Sequence, residues 1–137
     1  MESDAVFYSI YDVYKQNTGV QNGGGIFATT RTFFFIKSSK FLSNYANSDS
    51  AISAYITSTL KNYVIDNCEF ANNSADSNTI SLKNANGDIS NCVFTNNMAS
   101  VYTGNIFVSF SNVNVSSSTF YTSYSSSTNL KKLVENV

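Results

Sequence analysis

A nine-residue pattern, Asn-Cys-x-Phe-x-Asn-Asn-x-Ala, occurs at positions 67–75 and again 24 residues later at 91–99, and it constrains the fold more than any other feature. A looser version recurs along the chain: an aromatic anchor, then Asn or Ser three positions later, then a small residue two positions after that. Self-similarity at intervals of 24–29 residues indicates a repeat architecture. The anchors are Tyr14, Phe41, Phe70, Phe94 and Phe120.

The residues around each anchor are typical of β-strands. Aromatic and β-branched side chains alternate with polar ones at a period of two, whereas an amphipathic helix would need a period of 3.6. Equivalent strands return only once per repeat, which argues against a meander of hairpins. We therefore predict an all-β parallel β-solenoid of about five coils with 24–29 residues per coil. Residues 1–137 are expected to form one solenoid segment of a longer repeat protein.

Stacking of equivalent positions predicts continuous columns of side chains. Asn tolerates a positive φ in a turn and can hydrogen-bond its amide from coil to coil, so we predict a ladder of Asn17, Asn44, Asn73 and Asn97. Cys68 and Cys92 are expected to stack inward as thiols, with a disulfide between coils as the alternative. The predicted core stack comprises Phe41, Phe70, Phe94, Phe120, Ile26, Ile52, Ile80 and Ile106.

The segments NCEFANNSA, NCVFTNNMA and QNGGGIFA resemble the coils of right-handed parallel β-helix proteins of the pectin-lyase-like superfamily, especially the repeats of large surface proteins. In those repeats an F-x-x-N-x-A turn precedes a G-G-A-I-like strand. The resemblance extends from about Tyr8 to Ser125 and implies a right-handed parallel β-helix. It departs from the pattern at Ser123, where Asn is expected. It says little about chemistry, because enzymes, adhesins and scaffolds all use this architecture.

Asp66 and Asp88 are the acidic pair to weigh for catalysis. The resemblance to polysaccharide lyases and hydrolases implies clustered acidic residues with Arg or Lys nearby, and glycoside hydrolysis needs paired carboxylates. Both residues adjoin turns, where Asp commonly caps the backbone, so we predict no catalytic residue. The chain has no His, which excludes Ser-His-Asp and Cys-His arrangements within it. Two Cys without His lack the ligands for zinc, and we predict no metal or other cofactor.

Composition bears on partners and location. A net charge of −1 without a basic stripe argues against nucleic acid. No apolar run is long enough to span a membrane, and the segment shows no signal peptide. The resemblance to surface-protein repeats implies an extracellular or cell-surface location. Under that expectation, the sequons beginning at Asn72 and Asn114 are candidate glycosylation sites.

Three functions fit these observations. The favoured one is a non-catalytic structural or adhesive module of a larger extracellular or surface-associated assembly, which contacts protein partners or neighbouring coils of the same protein. The alternatives are part of a carbohydrate-active enzyme of the polysaccharide lyase or hydrolase type, and a carbohydrate-binding module. The FFF run at 33–35 must direct at least one ring outward, where it could stack on a sugar or a protein beside Tyr45, Tyr55 or Tyr63.

The last residues, NLKKLVENV at 129–137, align with TLKNYVIDNC at 59–68 and predict the start of a sixth coil. A bare strand edge there would promote end-to-end association into filaments. The alternative is a short amphipathic helix that caps the solenoid and carries Leu130, Leu133, Val134 and Val137 on one face.

Overall fold

The computed structural model describes residues 5–56, 61–101, 104–121 and 124–125, and every regular element in these ranges is a β-strand. The chain runs through four sheets, A to D, in the same order in each coil, and all strand pairs are parallel. The result is a parallel β-solenoid of about four turns, which confirms the predicted fold class. The coil count falls below the predicted five because sheet D has four strands among the described residues.

The strands of each sheet stack in coil order. Sheet A contains β1 (Ala5–Ile10), β5 (Thr32–Lys37), β9 (Lys61–Asp66), β13 (Asn86–Ser90) and β17 (Val113–Ser116). Sheet B contains β2 (Val13–Lys15), β6 (Lys40–Leu42), β10 (Glu69–Ala71), β14 (Val93–Thr95) and β18 (Thr119–Tyr121). Sheet C contains β3 (Thr18–Gly19), β7 (Tyr45–Ala46), β11 (Ser74–Ala75), β15 (Met98–Ala99) and β19 (Tyr124–Ser125). Sheet D contains β4 (Ile26–Thr30), β8 (Asp49–Ile56), β12 (Asn78–Lys83) and β16 (Ile106–Ser109).

Aromatic anchors form the centre of the core. Their rings lie nearly parallel on successive strands of sheet B, with centroids 4.6–4.8 Å apart from Tyr14 to Phe120. Opposite them, the isoleucines of sheet D pair in register from Ile26 to Ile106. Of the predicted core stack, Ile26 and Phe120 are only partly buried; they lie in the first and the last coil of the described ranges, where the stack has a described neighbour on one side.

Sheet A fills the other side of the core with residues of different sizes. Phe34 and Tyr63 stack with ring centroids 5.4 Å apart, and the next position in the column is Gly87. A Cβ on Gly87 would lie 2.8 Å from the Tyr63 ring, so this glycine makes room for the ring. Tyr63 is only 1% exposed, so its predicted place on an outer face beside the FFF run is wrong.

The 29-residue interval between Asn44 and Asn73 exceeds the next interval of 24 without disturbing these columns. Part of the difference is absorbed by register shifts, one between β8 and β12 and one between β9 and β13. The predicted sixth coil, its helical alternative and Ser123 lie outside the described residues, and end-to-end association stays a prediction. Within the described part of the chain, no helix has the length and apolar character to cross a membrane.

Candidate functional site

The predicted asparagines form one hydrogen-bonded column at the corner between sheets B and C. The Nδ2 atoms of Asn17, Asn44 and Asn73 each donate to the Oδ1 atom of the next asparagine at 3.0 Å. Each Oδ1 also accepts a backbone N–H from the preceding coil. In the fourth coil, Asn97 donates instead to Asn105 Oδ1 at 3.3 Å. The column therefore holds successive coils in register where the strands are interrupted.

The prediction that the column asparagines occupy positions of positive φ is wrong. None of the four asparagines has a positive φ; the residue immediately before each one does. Those residues are Gln16, Ser43, Asn72 and Asn96, with φ of 56°, 54°, 56° and 52°. The residue with positive φ turns the chain. The asparagine that follows it is needed for the hydrogen bonds that its side-chain amide makes with neighbouring coils, since buried polar groups need partners.

Cys68 and Cys92 are free thiols in a corner column that also contains Asp12, Ser39 and Ser118. The Cys68 Sγ lies 3.2 Å from the carbonyl oxygen of Asp66, two residues back. Ser39 and Ser118 donate to carbonyl oxygens two residues back in the same way, at 2.8 and 2.9 Å. The cysteines thus act as serine-like corner residues.

The two thiols also affect each other. A hydrogen bond between the two side chains lowers the pKa of Cys68. The same hydrogen bond and, as a smaller cause, burial raise the pKa of Cys92. Both side chains are buried. Buried cysteines of this kind pack as small hydrophobic groups. No cluster of three or more His, Cys, Asp or Glu suited to a metal ion occurs in the described ranges.

Asp66 and Asp88 share the outer face of sheet A but are each held by other groups. Asp66 lies opposite Ser90, whereas Asp88 lies opposite Val64, so the two carboxylates are offset along the strands. Hydrogen bonds from Ser90 and then from Asn91 lower the pKa of Asp66. Asp88 forms an ion pair with Lys61. Both carboxylates therefore join neighbouring coils.

The outer face of sheet A carries an apolar patch on its first three strands. Tyr8 and Phe35 are neighbours on β1 and β5, with stacked ring centroids 5.2 Å apart. Tyr8 is 65% exposed. The outward Phe35 thus stacks on Tyr8 of β1, and not on Tyr45, Tyr55 or Tyr63, the tyrosines predicted from the sequence. We call this the A-face patch; it consists of Val6, Tyr8, Ile10, Phe33, Phe35 and Val64.

The signal for this patch was present in the sequence. Ser9 and Ile36, five residues before their anchors, both point inward and are fully buried. Alternation along a strand then places Tyr8 and Phe35 on the outer face. Because the inward residue near the end of β1 is the polar Ser9, the alternation of apolar and polar residues is not evident in that strand. Ser9 is satisfied there by Ser39 and Tyr14.

A groove runs along the corner between sheets A and B, with a volume of about 480 Å³. Tyr11, 80% exposed, lies at one end. Along the groove, Asn67 Nδ2 donates to Ser38 Oγ at 3.1 Å, and Lys40 pairs with Glu69 at 2.9 Å. We call this the corner groove. It combines an aromatic ring with amide, hydroxyl and charged groups.

Both candidate glycosylation residues are exposed. Asn72 lies in the turn between sheets B and C, and Asn114 lies next to Asp88 on the outer face of sheet A. Attachment of a glycan at either residue stays a prediction.

Comparison of the chain with protein-family models, with curated proteins and with solved structures finds no match. The parallel β-solenoid is therefore established by the structure alone.

Proposed function

We propose that this chain is a non-catalytic structural and adhesive module that binds a protein partner through the A-face patch. The observation that carries the proposal is the exposure of Val6, Tyr8 and Ile10, at 51–65%, beside Phe33 and Phe35 on one continuous face. Contiguous exposed apolar surface on a soluble domain is typical of protein interaction sites. Aromatic residues are also enriched at the centres of such interfaces.

The solenoid suits this role because it holds the patch rigidly. Phe34 and Ile36 are fully buried, and they alternate with the outward Phe33 and Phe35 on the same strand. Residues on packed strands are positioned more accurately than residues on loops. A rigid aromatic surface loses little conformational entropy on binding, which favours affinity.

The same proposal assigns the module to a larger extracellular or surface-associated assembly and to the pectin-lyase-like superfamily, with right-handed coils. Support comes from the repeated F-x-x-N-x-A turn, seen at Phe70, Asn73 and Ala75. The buried asparagine column explains why a solenoid would repeat that motif, since each copy contributes one hydrogen-bonded step. This part of the proposal rests on resemblance and is independent of the A-face patch.

The test is binding of the fluorescently labelled protein to intact cells of its source organism. Replacing Tyr8 and Phe33 by Ser is expected to abolish binding, whereas Tyr55→Ser should not. Tyr55 is a matched control, because it is 50% exposed on the outer face of sheet D. Protease treatment of the cells should also abolish binding. Equal binding by the double variant and the wild type would refute the proposal.

A second candidate, carbohydrate binding, is favoured by the corner groove. Sugar sites in proteins combine a stacking aromatic ring with planar polar groups, and Tyr11, Asn67 and Glu69 offer both along one groove. A glycan array probed with the wild type, Tyr11→Ala and Tyr55→Ala would detect this activity. Loss of a glycan signal in the Tyr11 variant alone would support it.

A third reading, part of a polysaccharide lyase or hydrolase, is tested separately. Uronate-containing polysaccharides are incubated with the protein and Ca²⁺, and new chain ends are measured. Because Asp66 and Asp88 are each engaged by other side chains, no cleavage is expected. Cleavage that Asp66→Asn or Asp88→Asn removes would overturn the non-catalytic assignment.

A further inference from the structure

The chain contains two Asn-Gly pairs, Asn22-Gly23 and Asn86-Gly87, which are chemically alike but structurally different. In such a pair the glycine has no Cβ, so its backbone nitrogen can approach the side-chain carbonyl carbon of the asparagine. That approach begins deamidation. Whether it occurs depends on the freedom of the glycine N–H and of the asparagine side chain.

The Asn86-Gly87 pair is fixed within the solenoid. It lies on β13, and the Gly87 N–H donates to the carbonyl oxygen of Asn112 at 3.0 Å. The Asn86 side chain accepts the Asn112 N–H at 2.8 Å. Gly87 is also packed against the Tyr63 ring. Attack by the Gly87 nitrogen would first require β13 to separate from β17.

The Asn22-Gly23 pair lies in the turn between β3 and β4, where these restraints are absent. Asn22 is exposed. Among the described residues, neither its side chain nor the Gly23 N–H has a hydrogen-bond partner. The turn is nevertheless attached on both sides: Gln21 O accepts from Ser48 N at 2.8 Å, and Gly24 N donates to Asp49 O at 3.2 Å.

We propose that Asn22 is a site of spontaneous deamidation and that the fold protects Asn86 from the same reaction. The Gly23 nitrogen loses its proton and forms a bond to Cγ of Asn22, the bond from Cγ to the side-chain nitrogen breaks, and that nitrogen takes up a proton and leaves as ammonia. The resulting succinimide takes up one solvent water at either carbonyl and opens to aspartate or isoaspartate. The net reaction consumes one water and releases one ammonia, without a redox partner.

The isoaspartate product has a structural consequence for the first coil. It adds a methylene to the backbone between the attached residues Gln21 and Gly24. Gly24 has little room to shift, since a Cβ built on it would lie 2.4 Å from the Ser50 oxygen of the second coil. The modification should therefore weaken the contact between β4 and β8. This inference does not depend on the proposed binding function.

The experiment is a time course in mildly alkaline buffer, read by peptide mass spectrometry. Trypsin releases residues 16–31, which contain Asn22, and fragment ions separate it from Asn17. In the folded protein, Asn22 should convert at least about tenfold faster than Asn86, because reaction at Asn86 requires local opening. In denaturant the two rates should become similar. Equal rates in the folded protein would overturn the proposal.

Two further comparisons make the result specific. A free peptide with the sequence VQNGGGI sets the unrestrained rate; if it converts while folded Asn22 stays intact, the proposal is wrong. Asn22→Gln serves as the matched control, because its longer side chain closes the ring poorly. Hydrogen exchange in β4 should become faster after ageing of the wild type and stay unchanged in aged Asn22→Gln.

Discussion

Replacement of Asn73 by Ala tests the asparagine column most directly. The Asn73 Nδ2 donates to Phe41 O at 2.9 Å and to Asn97 Oδ1 at 3.0 Å. Its Oδ1 accepts from the backbone N–H and the side chain of Asn44, both at 3.0 Å. At about 1 kcal/mol net for each lost bond, the four losses should lower the free energy of unfolding by about 4 kcal/mol.

The matched control is Asn17→Ala, in the same column but at its exposed end. Water can replace the bond that Asn17 Nδ2 donates to Asn44, so the cost should be about 1 kcal/mol or less. Urea denaturation of the wild type and both variants gives the free energies at comparable slopes. If Asn73→Ala costs no more than Asn17→Ala, the column does not stabilise the coils as argued.

Asn73→Asp adds a pH dependence with a definite sign. Its second carboxylate oxygen would replace Nδ2 and face the oxygen atoms of Phe41 and Asn97. The folded pKa of the new acid should therefore lie above its unfolded value of about 3.9. Stability is then highest below that unfolded value and falls as pH rises through the folded pKa. A flat profile would contradict the hydrogen-bond assignment.

Three other substitutions test the core. Phe94→Ala removes a fully buried ring between Phe70 and Phe120 and should cost about 3–5 kcal/mol, seen as a lower thermal midpoint; an unmoved midpoint would exclude the stacked core. Cys68→Ser should cost less than about 1 kcal/mol in urea denaturation, because the equivalent Ser39 makes the same corner hydrogen bond, and a large loss would contradict that equivalence. Tyr63→Phe should stabilise the fold by about 1–3 kcal/mol, since the buried Tyr63 hydroxyl has no hydrogen-bond partner in the part of the chain that the structure describes. Burial and, to a smaller extent, the charge of Asp88 raise the pKa of Tyr63. The free energy of unfolding of the wild type should therefore fall as pH rises above about 10, and it should fall less steeply in Tyr63→Phe. Equal slopes for the two proteins would contradict this.

Recurrence in the sequence was sufficient to predict the solenoid, because equivalent residues of a repeat must occupy equivalent places. The anchor at Phe70, for example, lies in register with Phe41 and Phe94. The same counting places Tyr63 inside, since it lies two residues before the buried Ile65. Its incorrect placement came from treating a tyrosine as a surface residue rather than from a weak signal.

Other features depend on interactions that no local pattern records. The positive φ of Gln16 and Ser43 has no distinctive residue type, and becomes visible only beside Asn72 and Asn96 in the same turn. The partner of Asp66 is set by which side chain of the next coil lies opposite, and that depends on register shifts within β9 and β13. Such pairings follow from three-dimensional alignment of the coils.

The number of residues in a coil and the rise of that coil along the solenoid axis are independent in this molecule, so side chains are spaced at a fixed interval along the axis. Intervals of 29 and 24 residues separate successive column asparagines, yet the Phe41–Phe70 and Phe70–Phe94 centroid distances are both 4.8 Å. The advance per coil is fixed by hydrogen bonding between strands rather than by the amount of chain used. An outward side chain such as Phe35 therefore has a set position along the axis, whatever the length of the turns beside it. Each added coil would therefore place new outward side chains at the same axial spacing, without moving those already present.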